Sequence, residues 1–322
     1  MESALIASFL LNGKGGGKEL DWPGIRNWDS DHGLLWLHLD YKEDETHQWL
    51  KEESGLDQVV FEALLAEDTR PRCLAYPCGM LVILRGVNLN PGADPDDMIS
   101  LRVWLEPHRI ISIRHRKVMA VDDIRKSVVD GNGPTDVGDF LFRLTRGLAY
   151  RIGDVLNQID DEVDLLEDEV LERGSFEQRS KLSSLRRQII RIRRYLSPQR
   201  EVMTRLQTEK TQLLSEMDRI LLREVADQIT RYVEDLDSAK DRAAVCQEEL
   251  ENRIASQMNK TLYILSIITA IFLPLGLITG LLGINVGGIP GSENPFAFII
   301  VCLMLLGIVA GQVMIFRRIH WV

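Results

Sequence analysis

The sequence predicts an α/β domain that feeds a long α-helical stalk and two transmembrane helices. Three observations carry this fold class. Thr261–Leu282 and Phe296–Phe316 are runs of 22 and 21 residues without a charge, each long enough to cross roughly 30 Å of hydrocarbon as a helix. Neither Gly nor Pro interrupts the chain between Ser215 and Pro274, so a single helix is expected to enter the first of those runs from far outside it. The first 130 or so residues instead alternate short β-rich runs with helical patterns. The expected divisions are an α/β domain over 1–133, a region of two helices over 134–215, the stalk over 216–260 and a membrane domain over 261–322.

In the α/β domain, Ala4–Leu11, Trp36–Leu39, Met80–Val87, Ser100–Leu105 and Arg109–Arg114 are strands bounded by Gly, Pro and Asp. The first of these is too short for a secretory leader, follows Glu2 and has its lysines behind it. Asp57–Ala66 and Val118–Val129 read as helices. Asn12-Gly-Lys-Gly-Gly-Gly-Lys18 resembles a phosphate loop only superficially. That motif needs Gly at position 12 and Ser or Thr at 19, whereas Asn12 and Glu19 stand there, so a hairpin turn is expected. Cys73 and Cys78 have no second Cys or His pair at zinc-finger spacing and are expected as reduced thiols. Asp94, Asp96 and Asp97 form either a regulatory metal site or a solvated loop.

After Gly133-Pro134, Thr135 is placed to cap a helix to about Arg173, whose second half carries eight acids from Asp160 to Glu172. A turn at Gly174 and a Ser175/Gln178 capping box start a basic helix with Arg186, Arg187, Arg191, Arg193 and Arg194 ahead of Pro198. An acidic helix folded back on a basic one satisfies both charge runs. The alternative is that the acids gather cations beneath a pore.

The stalk begins at the capping pair Ser215 and Asp218. A helix from 216 to 282 is on the order of 100 Å long and needs partners along its length. Leu222, Val225, Ile229, Leu236, Ala243, Leu250 and Ile254 offer a near-heptad seam, interrupted by Lys240 and Gln247. On roughly the opposite face, Asp227, Glu234, Asp241 and Glu248 recur every seven residues. In a symmetric bundle they become acidic rings that concentrate cations; otherwise they are a solvated face.

Each transmembrane segment, 261–282 and 296–316, holds thirteen Leu, Ile, Val or Phe residues, worth roughly −4 to −8 kcal/mol of insertion free energy per span. The loop 283–295 carries only Glu293, while Arg253, Lys260, Arg317 and Arg318 flank the other ends, so both termini are expected in the cytoplasm. Continuing the seven-residue pattern gives a stripe of Asn259, Leu262, Ser266, Thr269, Leu273, Gly276 and Gly280. It is small, polar or moderately apolar and never ionisable, which suits a narrow pore for a hydrated cation. Pro274 withholds a backbone donor and frees the carbonyl of Ala270 toward the same axis. Gly276 with Gly280, and Gly307 with Gly311, have close-packing spacing and imply oligomerisation.

With no Asp, Glu, His, Lys or Arg in either span, selectivity falls to the mouth. There Gly283 permits a turn and Asn285 offers an amide oxygen at converging helix carboxyl ends, whose dipoles favour cations. The net charge of −10 argues against nucleic acid as a partner. No nucleophile, base and orienting group assemble into an enzyme site. A scaffold or sensor without flux does not require aligned Ser and Thr.

These residues resemble the CorA superfamily of divalent-cation channels and transporters, whose signature is Gly-Met-Asn at the outer end of the first span. Ile284 replaces the Met, and with the run GINVGGIPG from Gly283 to Gly291 it is similar to the ZntB-type zinc transporter branch. Trp36–Leu39, Thr69-Arg-Pro-Arg72, Arg116-Lys-Val118, Gly133-Pro-Thr-Asp136 and Arg193-Arg-Tyr195 with Pro198-Gln-Arg200 carry the likeness along the chain. The resemblance implies a funnel-shaped homopentamer in a bacterial inner membrane, with Gly283, Ile284 and Asn285 as selectivity filter and Asn259 at the cytosolic end of the pore. It implies Zn²⁺ as the transported ion, proton-coupled uptake or, less favoured, efflux, and no resident cofactor. A Mg²⁺/Co²⁺ channel is the alternative. The absence of His, Cys and carboxylates at the mouth predicts a largely hydrated ion and poor separation of Zn²⁺ from Co²⁺, Ni²⁺, Cd²⁺ and Mg²⁺.

Overall fold

A computed structural model describes residues 4–67, 69–173, 176–209, 211–284 and 294–318. The chain forms two compact units, Met1–Glu248 and Glu249–Val322.

The first unit is built on seven strands: β1 (Leu5–Leu11), β2 (Gly17–Glu19), β3 (Leu34–Asp40), β4 (Arg72–Tyr76), β5 (Gly79–Gly86), β6 (Ile99–Leu105) and β7 (Arg109–Arg114). They lie in the order β2-β1-β3-β7-β6-β5-β4. Every pairing is antiparallel except β3 with β7. The five strands expected from β-rich runs are all present; β2 and β4 are too short or too polar to stand out in the sequence. β5 and β6 are buried along their whole length, as expected of a sheet covered on both sides.

On one face, Leu35, Leu37, Leu39, Leu81, Ile83, Trp104, Ile111 and Ile113 form a core with Trp49 and Leu50 of α2 (Asp44–Glu52) and Val60 and Leu64 of α3 (Gln58–Leu65). A short α1 (Trp22–Arg26), capped by Asp21, adds Ile25 to it. The other face packs Trp36 against Phe140 with ring centroids 5.2 Å apart. Phe140 belongs to α5 (Val137–Arg173), which follows α4 (Met119–Val129). The Gly-rich segment after β1 is a hairpin turn. Gly13 and Gly15 take left-handed φ of 68° and 91°, and Asn12 Oδ1 accepts from the amides of Lys14 at 2.8 Å and Gly16 at 3.0 Å. It cradles its own backbone, which explains why a phosphate motif is mimicked without its Ser or Thr.

The cap of α5 differs from expectation by one residue. Asp136 Oδ1 accepts from the amide of Asp139 at 2.9 Å, so Asp136 is the N-cap, while Asp139 Oδ2 accepts from the amide of Thr135, the residue before the cap, at 3.0 Å. Ser175 of the expected next cap lies outside the described residues. α6 (Phe176–Thr208) carries Pro198 within it, and the buried Gln199 beside it accepts from the Arg85 amide at 2.7 Å, docking α6 on β5. α7 (Glu216–Leu282) runs for 67 residues. Its start is a reciprocal box: the Asp218 amide donates to Ser215 Oγ at 3.1 Å and the Ser215 amide to Asp218 Oδ2 at 2.8 Å.

Within the first unit, α7 buries Leu222, Val225, Ala226, Ile229, Val233, Leu236, Ala239, Ala243 and Cys246. The seam is therefore wider than the heptad reading, and its partners are the chain's own helices. Arg242 reaches Asp160 at 2.8 Å, Glu167 at 2.7 Å and also Asp164, all on α5. Arg193 of α6 pairs with Asp237 at 2.6 Å and Arg186 donates to Gln247 at 2.5 Å. Members of both the acidic and the basic run are thus bonded to α7, while Glu169 of α5 accepts from Gln178 of α6 at 3.4 Å; the half-buried Lys240 and Gln247 are part of the polar contact on α7.

The second unit holds the end of α7 and α8 (Ala297–Arg318). Two helices here are long and apolar enough to cross a membrane, and neither apolar stretch is buried in the protomer. The first expected span ends with α7 at Leu282; the second is shifted by a residue or two, to Ala297–Arg318.

Candidate functional site

The expected pore stripe lies on one side of α7. Asn259, Leu262, Ser266, Thr269, Leu273, Gly276 and Gly280 are all exposed in the protomer. The half-buried residues of the same stretch are Ile267, Ala270, Ile271, Pro274, Leu275 and Ile278. At about 100° per residue, those two sets sit on opposite sides of the helix. The second set faces α8, because Gln312 Nε2 donates to the carbonyl of Ala270 at 3.1 Å. The stripe therefore points away from the chain's other span.

The hydroxyls on that helix are spoken for as donors. Ser266 Oγ donates to the Leu262 carbonyl at 2.9 Å, and Thr269 Oγ1 to the Leu265 carbonyl at 2.8 Å. Back-bonding of this kind fixes the hydrogen along the helix and leaves oxygen lone pairs as the outward polar feature. An exposed row of acceptors without titratable groups suits a cation that keeps most of its water.

One part of the sequence reading is overturned. The Ala270 carbonyl freed by Pro274 was expected to face the pore axis, yet it is taken up by Gln312 of α8. Gln312 is uncharged, so a charge count of the spans does not mark it. A half-buried amide among aliphatic residues is itself informative, and pairing it with the carbonyl four residues before a Pro points to the contact.

The glycine pairs make no contact inside the protomer. A Cβ built at Gly276, Gly280, Gly307 or Gly311 meets nothing within 4 Å. At the mouth, the Gly283 amide donates to the Thr279 carbonyl at 2.9 Å, completing the last turn of α7. Its φ is outside the left-handed region, and the pressure for glycine is crowding: a Cβ would lie 3.1 Å from the Thr279 oxygen. Ile284 is exposed. Asn285 and Glu293 lie outside the described residues, so the filter is described only as far as Ile284.

In the first unit, Asp227, Glu234, Asp241 and Glu248 are all exposed on α7. Asp241 pairs with Lys240 at 3.1 Å, and among the described residues the other three make no ion pair. Asp237, between Glu234 and Asp241, is committed elsewhere: the hydrogen bond from Arg193 holds its carboxyl below the usual range. Asp94, Asp96 and Asp97 do not converge on a metal site. Asp96 pairs with Arg191 at 3.0 Å and Asp97 with Arg116, and among the described residues no three His, Cys, Asp or Glu side chains are grouped to hold an ion. Cys73, Cys78, Cys246 and Cys302 are free thiols, and burial pushes that of Cys73 up to about 11.

Proteins similar to this chain match this geometry. A family model described as CorA-like Mg²⁺ transporter protein covers residues 31–318. The divalent cation transporter CmaX of Pseudomonas aeruginosa is 40% identical over 324 residues, 99% of this chain and 97% of that one. The structure of full-length CmaX superposes with a TM-score of 0.86 at 39% identity, over 100% of this chain and 99% of that chain. The zinc transport protein ZntB of Yersinia enterocolitica is 34% identical over 319 residues, 99% of this chain and 96% of its own length. With an apolar helix pair, an uncharged acceptor stripe and a family match over nearly its whole length, the chain belongs to the CorA-like family of divalent-cation transporters and not to the enzymes.

Proposed function

We propose that the chain forms a homopentamer that passes Zn²⁺ through a central pore lined by α7, taking it up into the cytoplasm of a bacterial cell across the inner membrane in a proton-coupled step. The observation that carries this reading is the stripe from Leu262 to Gly280, exposed on the side of α7 opposite α8, with the Ser266 and Thr269 oxygens presented outward. A protomer that turns such a face away from its own second span leaves it for copies of itself. The open glycine pairs are suited to the same contact. Gly283, Ile284 and Asn285 form the filter, Asn259 stands at the cytosolic end, and the basic residues Arg253, Lys260, Arg317 and Arg318 keep both termini in the cytoplasm.

Preference for Zn²⁺ rests on the similarity to ZntB and on Ile284. A broader divalent specificity is favoured by a second observation: no His, Cys or carboxylate lies on the stripe, so ions meet oxygen acceptors through their water and are separated weakly. Any coupled proton titrates outside the bilayer, at Asp227, Glu234, Asp241, Glu248 or Glu293.

The test is flux into proteoliposomes containing the full chain, with Zn²⁺ and Mg²⁺ supplied separately, with and without a pH gradient, beside Asn285→Ala. Zn²⁺ flux that rises with the gradient and collapses in the variant is the expected outcome. Mg²⁺ flux indifferent to pH moves the chain to the channel reading, and flux of neither ion removes transport altogether. Gradient-dependent flux that survives replacement of all four stalk acids by their amides refutes the stalk as the proton site.

A further inference from the structure

We propose that the exposed face of α6 docks on the exposed face of α7 in a neighbouring copy of this chain, seating Arg187 and Arg194 of one copy among Glu234, Asp241 and Glu248 of the next. The contact rests on the proposed assembly of copies around an axis along α7. Leu182, Leu185, Ile189, Ile192 and Leu196 turn one side of α6 into the protomer. At about 100° per residue, Arg187, Ile190, Arg191 and Arg194 share the opposite side, and all four are exposed. Arg191 is held by Asp96 at 3.0 Å. Among the described residues Arg187 and Arg194 make no ion pair, and Arg194 approaches the Tyr195 ring at 5.6 Å.

The α7 face carries the opposite charge at the same level of the stem. Arg193 pairs with Asp237, and Arg186 donates to Gln247, so α6 and α7 run antiparallel and each free arginine stands one residue from a fixed point. Arg194 is level with Leu236, between Glu234 and Asp241; Arg187 is level with Cys246, between Asp241 and Glu248. The arginines are seven residues apart, as are the acids, a rise of about 10 Å in each helix. Rotation about an axis along α7 changes no residue's level. Each arginine of one copy therefore falls between two acids of the next.

Charge decides which faces meet. Two α7 faces set acid against acid and two α6 faces set Arg against Arg, whereas the mixed contact pairs unlike charges. Because it joins two different surfaces, it repeats from copy to copy and can close as a ring. Exposed ion pairs contribute little each, and their part is to fix register and reject the wrong contact. Ile190 and Val245, 51% and 68% exposed on the two faces, add apolar area at nearly the same level.

The test uses the full chain in detergent, its mass read by light scattering before mild oxidation. Ile190→Cys combined with Val245→Cys is expected to give a covalent ladder beyond the dimer. Each single variant, which reports on the native cysteines, is expected to give none. Separately, Arg187→Glu with Arg194→Glu is expected to raise the dissociation constant of the oligomer about tenfold at low salt, and adding Glu234→Arg with Glu248→Arg to recover most of that loss. A monomer at every concentration overturns this contact together with the assembly it rests on. An oligomer that gives no ladder, or whose dissociation ignores the charge reversal, overturns the contact and leaves the assembly standing.

Discussion

The two units of this chain treat their surfaces in opposite ways. In the first, strands β5 and β6 bury every residue and the charged runs of α5 and α6 find partners on α7. In the second, none of the described membrane-helix residues is fully buried by the protomer, and Gly276, Gly280, Gly307 and Gly311 stand open. One unit completes its core alone. The other leaves its apolar surfaces exposed, and in the proposed pentamer these would meet lipid and further copies, so that its polar groups would report on assembly and transport more than on the protomer's fold.

The largest effect that tests this contrast is a core truncation. Trp104→Ala removes a fully buried ring from the sheet face under α2 and α3 and is expected to cost about 3–5 kcal/mol, read as loss of the first unit's thermal transition. Leu273→Ala, 71% exposed on the stripe, is expected to leave that transition in place and to change flux. Equal destabilisation by both would erase the distinction between the units.

A second, smaller effect is acid sensitivity confined to the first unit. Ser112 Oγ donates to the Leu37 carbonyl at 3.0 Å and accepts from Trp36 Nε1, so His38 Nδ1 is the donor in its 2.9 Å contact with that oxygen. The neutral ring leaves Nε2 buried without a partner, and a proton there would have no acceptor. Burial, reinforced by Arg114, pushes His38 down to about 3 from an ordinary 6.5. The unfolded chain thus binds the proton first, and stability present above pH 6.5 is lost as pH falls from there toward 3. By pH 5 the loss from this group is about 2 kcal/mol. Denaturant titrations at pH 7 and 5 measure it, and His38→Gln is expected to flatten the dependence.

Smaller again is the junction of α7 with α5. Arg242 is raised above its ordinary value by hydrogen bonds from its guanidinium to Glu167 and Asp164. Arg242→Met leaves Asp160, Asp164 and Glu167 facing one another, at about 1 kcal/mol for a partly exposed network. Salt of about 1 M is expected to recover most of that loss by screening; a salt-independent loss would mean the stem's packing, not its charge, holds the helices.

What could be read from the sequence follows the same division. Strands, the reciprocal box at Ser215 and Asp218, and the extent of α7 were legible because each is set by local pattern or by backbone donors within a few residues. The side of α7 that carries the stripe was legible because periodicity fixes a face. The partners of the charge runs were not, since Arg242 and Glu167 are 75 residues apart and complementary charge names no partner. Thr135 lost the cap to Asp136 because two adjacent capping residues compete and only geometry chooses. Gln312 was missed because a neutral amide leaves no mark in a charge count.

That amide gives the smallest effect and the sharpest one. Pro274 cannot donate to the Ala270 carbonyl, and Gln312 donates in its place, so the same contact exists because of the proline. Gln312→Leu alone is expected to weaken the helix pair by about 0.6 kcal/mol, the average for hydrogen bonds between membrane helices, measured by unfolding in detergent of graded strength. In a Pro274→Ala background the backbone amide at 274 returns to Ala270, and the Gln312→Leu cost is expected to shrink toward zero. Additive losses in the double variant would show that Gln312 acts elsewhere. The coupled result would instead make the proline and the glutamine a single device: a break in α7 closed from the second apolar helix, with the stripe left exposed on the opposite side.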